Sequence, residues 1–400
     1  MKATNRVFTY LTRAVLVLGL LGLVACEAEK KNPIKIGYSL ALTGKYAKTG
    51  KYQQEAFVMW AEEINKHGGL LGRPVKLIHY DDKSDPKTGV KLYEKLITQD
   101  KVDLVFGPYS SAVTNPVAGV TEKYKYPMIT AGAPSSKIFA QGRKYVFGSY
   151  SPTRDYMDGA FALAKEKGLK TVALIYADSL FPISTAKGVK EKAGSYGLRI
   201  VYEEKYPRKT SDVSPLLSKI KARNPDVVFV ASYLPDSVLI TRQMKELDVN
   251  PKILAFTVGP ALPEFGRDLG DLANYVYGAT QWEPDPQLPF PKQKEWVEQY
   301  TKRWGREPDY HAASGWSAAQ VMESCVKKVG SINRDKIRDC LASTNMMTVH
   351  GQYSVDPVTG EQRGHEILLI QWQKGKKEIV YPAKYSSASP NFPTPKWGNR

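Results

Sequence analysis

The sequence predicts an α/β fold of two Rossmann-like lobes, each with a parallel sheet flanked by helices. Short apolar segments rich in β-branched residues alternate along the chain with amphipathic segments of helical length. That alternation is typical of βαβ units, whose strands are covered by helices on both faces. The series runs twice, and 400 residues exceed what one hydrophobic core usually organises. Two lobes are therefore expected.

The first series starts with a strand at residues 34–41 and a helix at 52–66, whose apolar positions share one face. His67-Gly68-Gly69 ends this helix. The remaining elements are the strand VKLIHYDD, a helix at 87–99, the strand VDLVFG, a helix at 113–124 and the strand PMITAG.

The second series has the same rhythm. Its predicted elements are a helix at 155–167, the strand TVALIYA, a helix at 183–195, the strand LRIVYEE, a helix at 212–222, the strand DVVFVAS and a helix at 236–247. Two helices at 292–304 and 312–328 and the strand EILLIQWQ complete the chain. Residues 383–400 are rich in Ser, Pro and Asn, which predicts a loose tail.

The N-terminus has the pattern of an export signal. Lys2, Arg6 and Arg13 precede the apolar or small residues 14–25. As a helix this run measures about 18 Å, too short for the roughly 30 Å hydrocarbon core of a membrane. The ending Leu23-Val24-Ala25-Cys26 resembles the bacterial lipobox, which implies lipidation of Cys26 and a polar tether at 26–33. An ordinary signal peptide that is cleaved beside a cysteine is the alternative.

The composition excludes several classes of function. A net charge of +17 could indicate nucleic acid binding, but the basic residues are scattered and the chain is predicted to be exported, so no nucleic acid partner is expected. The sequence has no G-x-G-x-x-G, P-loop, G-x-S-x-G or H-E-x-x-H motif. We therefore expect no enzyme activity, no cofactor and no metal site. A hydrolase that uses Ser110 or Ser111 is the lesser alternative.

Cys325 and Cys340 are the cysteines after Cys26, and both lie in a helix-turn-helix pattern. In an oxidising compartment they could pair across the helical hairpin. Two buried free thiols are the alternative.

Four segments in order resemble one family: IKIGYSLALTGKYAKTG, INKHGGLLGRPVKLIHYDDKSDP, VFGPYSSAVTNPVA and ITAGAPSS. Together they resemble the type I periplasmic solute-binding proteins of the leucine/isoleucine/valine-binding class, over most of residues 34–380. The resemblance implies two lobes joined by three crossovers, near 149–153, 279–283 and 350–353. It divides the chain into a signal peptide (1–25), a tether (26–33), lobe 1 (34–150 plus 281–350), lobe 2 (151–280 plus 351–385) and a tail (386–400).

The resemblance also implies a function. The chain would be a monomeric lipoprotein in the periplasm or at the cell surface, held to the membrane by its N-terminal lipid. It would capture a small amino acid, amide, or aromatic or aliphatic carboxylate between its closing lobes and deliver it to an ABC permease in the inner membrane. A module that senses a ligand for a membrane signalling partner is the alternative.

Loops at the carboxyl ends of the strands are the expected ligand site. Tyr109, Ser110 and Ser111 follow the strand VDLVF and precede a helix, whose N-terminus attracts anions. Either serine could instead be only a helix N-cap. Ser111 resembles the family's carboxylate-binding serine.

The other candidates come from neighbouring loops. Gly132, Ala133 and Ser135 resemble the loop that adds further contacts, although Pro134 stands where the amino-acid binders carry a threonine. The aromatic candidates are Tyr150 at the first crossover, Phe181 and Tyr233 at strand ends of the second lobe and, less strongly, Tyr46 with its neighbour Thr49.

Thr257 marks a departure from the family pattern. Branched-chain amino-acid binders place a glutamate here for the α-ammonium group of the ligand, and no acidic residue follows until Glu264. A buried ammonium without a carboxylate carries a penalty of several kcal/mol. Either Asp178 or Asp236 replaces the glutamate, or the ligand is an amide or a small carboxylate, aromatic included.

Overall fold

The first lobe is built on a five-stranded parallel sheet. In a computed structural model that describes residues 32–400, the strands have the order β2-β1-β3-β4-β5. They are β1 (Ile34–Leu40), β2 (Val75–Asp81), β3 (Leu104–Phe106), β4 (Met128–Thr130) and β5 (Val146–Gly148). The connecting helices are α1 (Ala47–Lys66), α2 (Pro86–Thr98), α3 (Ser111–Lys123) and the single turn α4 (Ser136–Phe139).

The second lobe is built on seven strands with five helices. The strands β6 (Thr171–Ala177), β7 (Arg199–Tyr206), β8 (Val227–Ala231), β9 (Ile253–Phe256) and β10 (Tyr277–Thr280) run parallel. The helices are α5 (Asp158–Glu166), α6 (Leu180–Lys192), α7 (Ser214–Arg223), α8 (Leu234–Glu246) and α9 (Pro263–Leu269).

The C-terminal third adds three helices and four strands. The helices α10 (Gln293–Trp304), α11 (Tyr310–Val329) and α12 (Arg334–Ser343) precede the hairpin of β11 (Asn345–Thr348) and β12 (Gly351–Ser354). α11 packs along α1, where Gly315 leaves room for the backbone of Gln53, since a Cβ at Gly315 would lie 3.2 Å from the Gln53 carbonyl oxygen. These helices therefore cover the first lobe.

The last two strands correct the expectation of parallel sheets. β13 (Leu368–Gln373) pairs antiparallel with β10, and β14 (Lys376–Tyr381) pairs antiparallel with β13, so the second sheet is mixed. The tight turn at Lys374 and Gly375, both with positive φ, can join only antiparallel neighbours. The α/β class is confirmed, with a mixed rather than a parallel second sheet.

The chain passes between the lobes three times, and the third passage lies later than the expected 350–353. Gly148 at the end of β5 donates a backbone hydrogen bond to the Gly360 carbonyl (2.8 Å), and the Gln362 side chain donates to the Ser149 carbonyl (3.4 Å). Residues 351–362 therefore stay with the first lobe and cover the edge of its sheet. The chain crosses between Gln362 and Leu368.

The C-terminal segment is packed, contrary to the expected loose tail. Trp397 is buried and donates from its indole nitrogen to the Val249 carbonyl (2.8 Å). The Asn391 backbone donates to the Gln371 side chain (2.8 Å). Burial of this large indole outweighs the polar composition of the segment. No helix within residues 32–400 is long and apolar enough to span a membrane.

Two histidines meet where the passages converge. The His350 and His365 rings are stacked with their centroids 4.3 Å apart. Tyr150 of the first passage stacks on His350, with a centroid distance of 5.7 Å. On the other side, His365 Nε2 donates to the Gln281 carbonyl of the second passage (2.7 Å). Burial lowers the pKa of His365 to about 4 and that of His350 well below its ordinary value of 6.5. Both rings are therefore neutral in the folded protein.

We expect the free energy of unfolding to decrease as the pH falls from about 6.5 towards 4. In that window the unfolded chain binds protons at these two histidines and the folded chain does not, so protonation favours unfolding. His365→Gln, which keeps a donor for the Gln281 carbonyl, should reduce the loss by at least about 1 kcal/mol. Denaturant titrations between pH 4 and 6.5 measure the free energy of unfolding of each variant. The exposed His67→Gln is the control, and equal pH slopes in His365→Gln and the unaltered protein would contradict the prediction.

Cys325 on α11 and Cys340 on α12 form a disulfide, with Cα atoms 5.6 Å apart and a sequence separation of 15. Of the two alternatives for these cysteines, the structure has the disulfide and not two free thiols. We expect Cys325→Ala/Cys340→Ala to lower the free energy of unfolding by about 2–4 kcal/mol, because the unfolded chain gains the freedom of the opened loop. Chemical denaturation measures the loss. A reductant should bring the unaltered protein to the same stability and leave the double variant unchanged.

Candidate ligand-binding site between the lobes

A small cavity lies between the lobes, where loops at the carboxyl ends of β3 and β4 face loops that follow β6, β8 and β9. The space is about that of one water molecule. Its walls are mostly aromatic, and the lining residues are Tyr109, Gly132, Pro134, Tyr150, Tyr156, Phe181, Tyr233, Val258 and Tyr310. In open α/β sheets this edge is where ligands bind.

Aromatic rings from both lobes contact one another around the cavity. Tyr46 of the first lobe lies against Tyr233 of the second, with ring centroids 4.5 Å apart. Phe181 lies 5.4 Å from Tyr233 and 5.1 Å from Tyr156. These tilted or edge-on arrangements are the favourable ones for aromatic pairs. The second lobe thus supplies an aromatic wall that closes against the first.

A buried hydrogen-bonded chain lies behind the cavity on the first lobe. Asp309 caps α11 by accepting from the backbone amides of His311 (3.0 Å) and Ala312 (3.1 Å), and its second oxygen lies 2.8 Å from His311 Nδ1. Since Nδ1 donates to the carboxylate, His311 Nε2 is free to accept from the Tyr109 hydroxyl (3.1 Å). Asp309 and His311 are fully buried, so this chain holds Tyr109 in place.

The three predicted serines have other partners and do not line the cavity. Ser110 Oγ accepts from the Val113 amide (3.4 Å) and caps α3. Ser111 Oγ accepts from the Ser135 amide (3.2 Å), which leaves the Ser111 hydroxyl proton available as a donor. Ser135 Oγ is 2.6 Å from Ser184 Oγ on α6 of the opposite lobe. In this arrangement Ser110 and Ser135 bond within the scaffold, while Ser111 keeps one unused donor.

The loop after β4 contributes Gly132 and Pro134 rather than Ala133 and Ser135. Ala133 packs on the opposite side, in the hydrophobic cluster of α2 and α3. A Cβ at Gly132 would lie 2.5 Å from the Tyr109 ring and 2.7 Å from Gln53 Nε2, so only glycine lets the Tyr109 ring come this close. Pro134, at the expected threonine position, therefore presents a hydrocarbon surface.

Thr257 is turned away from the cavity. Its hydroxyl donates to the Ser232 carbonyl (2.7 Å) and accepts from the Ser232 amide (2.9 Å), which ties the end of β9 to that of β8. The next residue, Val258, lines the cavity instead.

Neither proposed substitute for the missing glutamate reaches the cavity. Asp178 is half exposed and pairs with Lys205 (3.1 Å), and Asp236 pairs with Lys45 (3.0 Å). Within the part of the chain that the structure describes, no acidic residue lines the cavity.

Sequence reasoning missed Pro134, Tyr156, Val258 and Tyr310. Tyr156 follows the first passage in a short 3₁₀ turn. Tyr310 stands in the first turn of α11, two residues before the predicted helix start. The sequence did contain a signal for Tyr310. Asp309 is a favoured N-cap residue, so the helix should start at Tyr310 and place its ring in the first helical turn.

Polar contacts across the lobes hold the closed arrangement. Lys45 Nζ lies 3.1 and 3.0 Å from the two carboxylate oxygens of Asp236 and donates to the Arg208 carbonyl (3.1 Å). Burial raises the pKa of Asp236, and Lys45 opposes that rise. Arg154 also donates to Ser136 Oγ (3.1 Å). A groove of about 340 Å³ beside Lys45 and Tyr46 leads towards the cavity.

Two α/β lobes that close over a cavity at facing strand ends define a two-lobed binding protein. Comparisons with known proteins agree. Residues 33–377 match the family model described as periplasmic binding protein, and the chain belongs to that family.

The relatives and structural neighbours span nearly the whole chain. The Leu/Ile/Val-binding protein homolog 7 of Brucella suis is 27% identical over 387 residues, which cover 92% of this chain and 96% of that protein. A branched-chain amino acid transporter substrate binding protein from Streptococcus pneumoniae, in complex with isoleucine, has a TM-score of 0.80 at 24% identity and covers 88% of this chain and 100% of its own. An ABC transporter solute binding protein from R. palustris, in complex with benzoate, has a TM-score of 0.78 at 18% identity over 90% of this chain and 99% of its own.

We expect Lys45→Met to weaken ligand binding mainly through faster dissociation. The change removes the contacts between Lys45 and the second lobe and leaves Asp236 buried without its partner, so the closed state loses stability. Stopped-flow dissociation rates and the radius of gyration from small-angle scattering would report it. The exposed Lys51→Met on α1 is the matched control, and equal rates for both variants would show that the contact does not stabilise closure.

Proposed function

We propose that this protein is the extracytoplasmic substrate-binding component of an ABC importer, which traps a small ligand between its two lobes. The observation that carries the proposal is the small cavity at facing strand ends, walled mainly by aromatic residues of both lobes. A ligand held there contacts both lobes only when they close, so binding stabilises the closed state over the open one. The permease would then recognise the closed, ligand-bound state.

The ligand proposed here is a small amide or carboxylate that carries no N–H ammonium group. Support comes from the absence of an acidic residue among the described residues that line the cavity. A primary ammonium buried there would lose its water shell and gain no carboxylate in return. The complexes of neighbouring structures with isoleucine and with benzoate show that this fold holds ligands of both kinds.

The first lobe would hold the carboxylate or amide oxygen at the N-terminus of α3. The first amides of a helix have no acceptor within it, and the helix dipole favours negative charge there. In this proposal the Ser111 hydroxyl donates to the ligand, while Ser110 and Ser135 support the loop. Tyr109, Tyr150, Phe181 and Tyr233 would enclose the rest of the ligand.

Lipid attachment at Cys26 is part of the same proposal. Cys26 lies outside the described residues, and its support is the lipobox resemblance together with the family's periplasmic location. A monomer anchored by one lipid would keep both lobes free to move. Mass spectrometry of the exported protein tests it, since an acylated N-terminal Cys26 is the expected species.

A thermal-shift screen tests the transport proposal directly. After partial unfolding to remove carried-over ligand, the protein would be screened against branched-chain amino acids, short amides, and aromatic and aliphatic carboxylates. A ligand at 100 times its dissociation constant stabilises the fold by about 2.7 kcal/mol, a clear shift. Binding of amides or carboxylates but not leucine is the expected result. Tight binding of leucine, isoleucine or valine would contradict the proposed ligand class, and no binding at all would favour a sensing role.

We expect Ser111→Ala to weaken ligand binding by roughly 1–3 kcal/mol, because it removes a donor to a buried oxygen. Calorimetric titration with the best ligand of the screen measures it. Ser110→Ala is the matched control, since it removes the N-cap of the same helix and should lower stability by about 1 kcal/mol without changing affinity. Equal affinity of Ser111→Ala and the unaltered protein would remove Ser111 from the site.

A further inference from the structure

Six of the nine residues that line the cavity are aromatic, and none of the nine carries a formal charge. Tyr109, Tyr150 and Tyr310 come from the first lobe and its first passage, and Tyr156, Phe181 and Tyr233 close the other side. Across residues 32–400, neither lysine nor arginine contributes to this lining. Lys45, near the entrance, is held by Asp236 (3.0 Å). An anionic ligand would therefore find no cationic side chain to neutralise it.

A buried carboxylate is connected to the cavity wall on the first lobe. Asp309 is fully buried, and its second carboxylate oxygen lies 2.8 Å from His311 Nδ1. Burial raises the pKa values of Tyr109, Tyr150 and Tyr310 well above the ordinary range, and the charge of Asp309 raises each of them further. Asp309 is joined to Tyr109 of the cavity wall through His311 (2.8 and 3.1 Å). A positive group between the rings would be stabilised by this carboxylate.

We propose that, once the lobes part far enough to admit a ligand, these rings form an aromatic cage for a quaternary ammonium group, and that the ligand is a methylated ammonium carboxylate of the betaine class. Tyrosine and phenylalanine faces attract a cation through their quadrupoles, most strongly when water is excluded. A quaternary nitrogen has no N–H group, so it needs no carboxylate acceptor in the wall. The feature that disfavours a primary α-ammonium therefore does not disfavour this cation.

The carboxylate of such a ligand also has partners. Tyr150 is buried, lines the cavity and has a hydroxyl without a hydrogen-bond partner among the described residues. Its O–H and that of Ser111 could both donate to a carboxylate at the N-terminus of α3. This inference rests on the proposed function, since it assumes that the cavity between the lobes is the ligand site, and it narrows the ligand class.

The decisive experiment compares two ligands of the same shape. Glycine betaine and 3,3-dimethylbutyrate have the same carboxylate, and a quaternary carbon in the second replaces the quaternary nitrogen of the first. Calorimetry on the purified full chain should show betaine binding at least about tenfold more tightly, the scale of a desolvated cation–π interaction. Equal or tighter binding of dimethylbutyrate would overturn the cage.

The failure of the cage and the failure of the proposed function give different results. Binding of benzoate or benzamide with no binding of betaine overturns the cage and leaves the proposed function intact. No binding of any amide, carboxylate or betaine counts against both.

A pair of variants tests the role of the ring itself. Tyr233→Phe keeps the aromatic face and should change betaine affinity by less than about threefold, whereas Tyr233→Leu should weaken it by at least about tenfold. Equal losses in the two variants would overturn the cage. Asp309→Asn keeps a capping side chain and removes the charge, so it should reduce the preference for betaine over dimethylbutyrate. An unchanged preference in a variant with unchanged melting temperature would also overturn it.

Discussion

Aromatic packing between the two lobes is the interaction on which the rest of this structure depends. Tyr46 and Tyr233 come from opposite sheets, and their rings lie 4.5 Å apart. These rings bury large apolar surfaces at the boundary between the lobes, so their contacts stabilise the closed arrangement.

The charged groups of the protein are arranged around this apolar centre. Lys45 and Asp236 meet at its edge, and Asp309 lies behind it with His311. Each of these buried charges has a hydrogen-bonded partner, as burial requires. At the converging passages the same requirement is met differently, because His350 and His365 remain neutral. Among residues 32–400, no formally charged side chain lines the cavity.

The scaffold uses its remaining polar groups to position the walls. The hydrogen bonds between Ser232 and Thr257 join the ends of two strands, and Ser111 Oγ accepts a hydrogen bond from the Ser135 amide. Gly132 permits the close approach of the Tyr109 ring. These contacts explain why the polar residues of the loops leave mainly rings and hydrocarbon to face the ligand.

The sequence by itself determined the class of fold and the edge at which the site lies. Apolar periodicity predicted most of the longer strands and helices but not β5, β9, β10, β11, β12 or β14. Strand direction placed the candidate site at the carboxyl ends, because that rule depends only on the geometry of parallel sheets. The aromatic candidates Tyr109, Tyr150, Phe181 and Tyr233 followed from that rule, and all four line the cavity.

Tertiary structure alone decided which side chain of each loop faces inward. Thr257 and Val258 are neighbours with opposite orientations, and Ser135 points to the other lobe while Pro134 lines the cavity. The antiparallel direction of β13 and the packing of Trp397 were equally outside the reach of local patterns. Such orientations depend on loop backbone angles and on partners distant in sequence, which become defined only when the two lobes pack together.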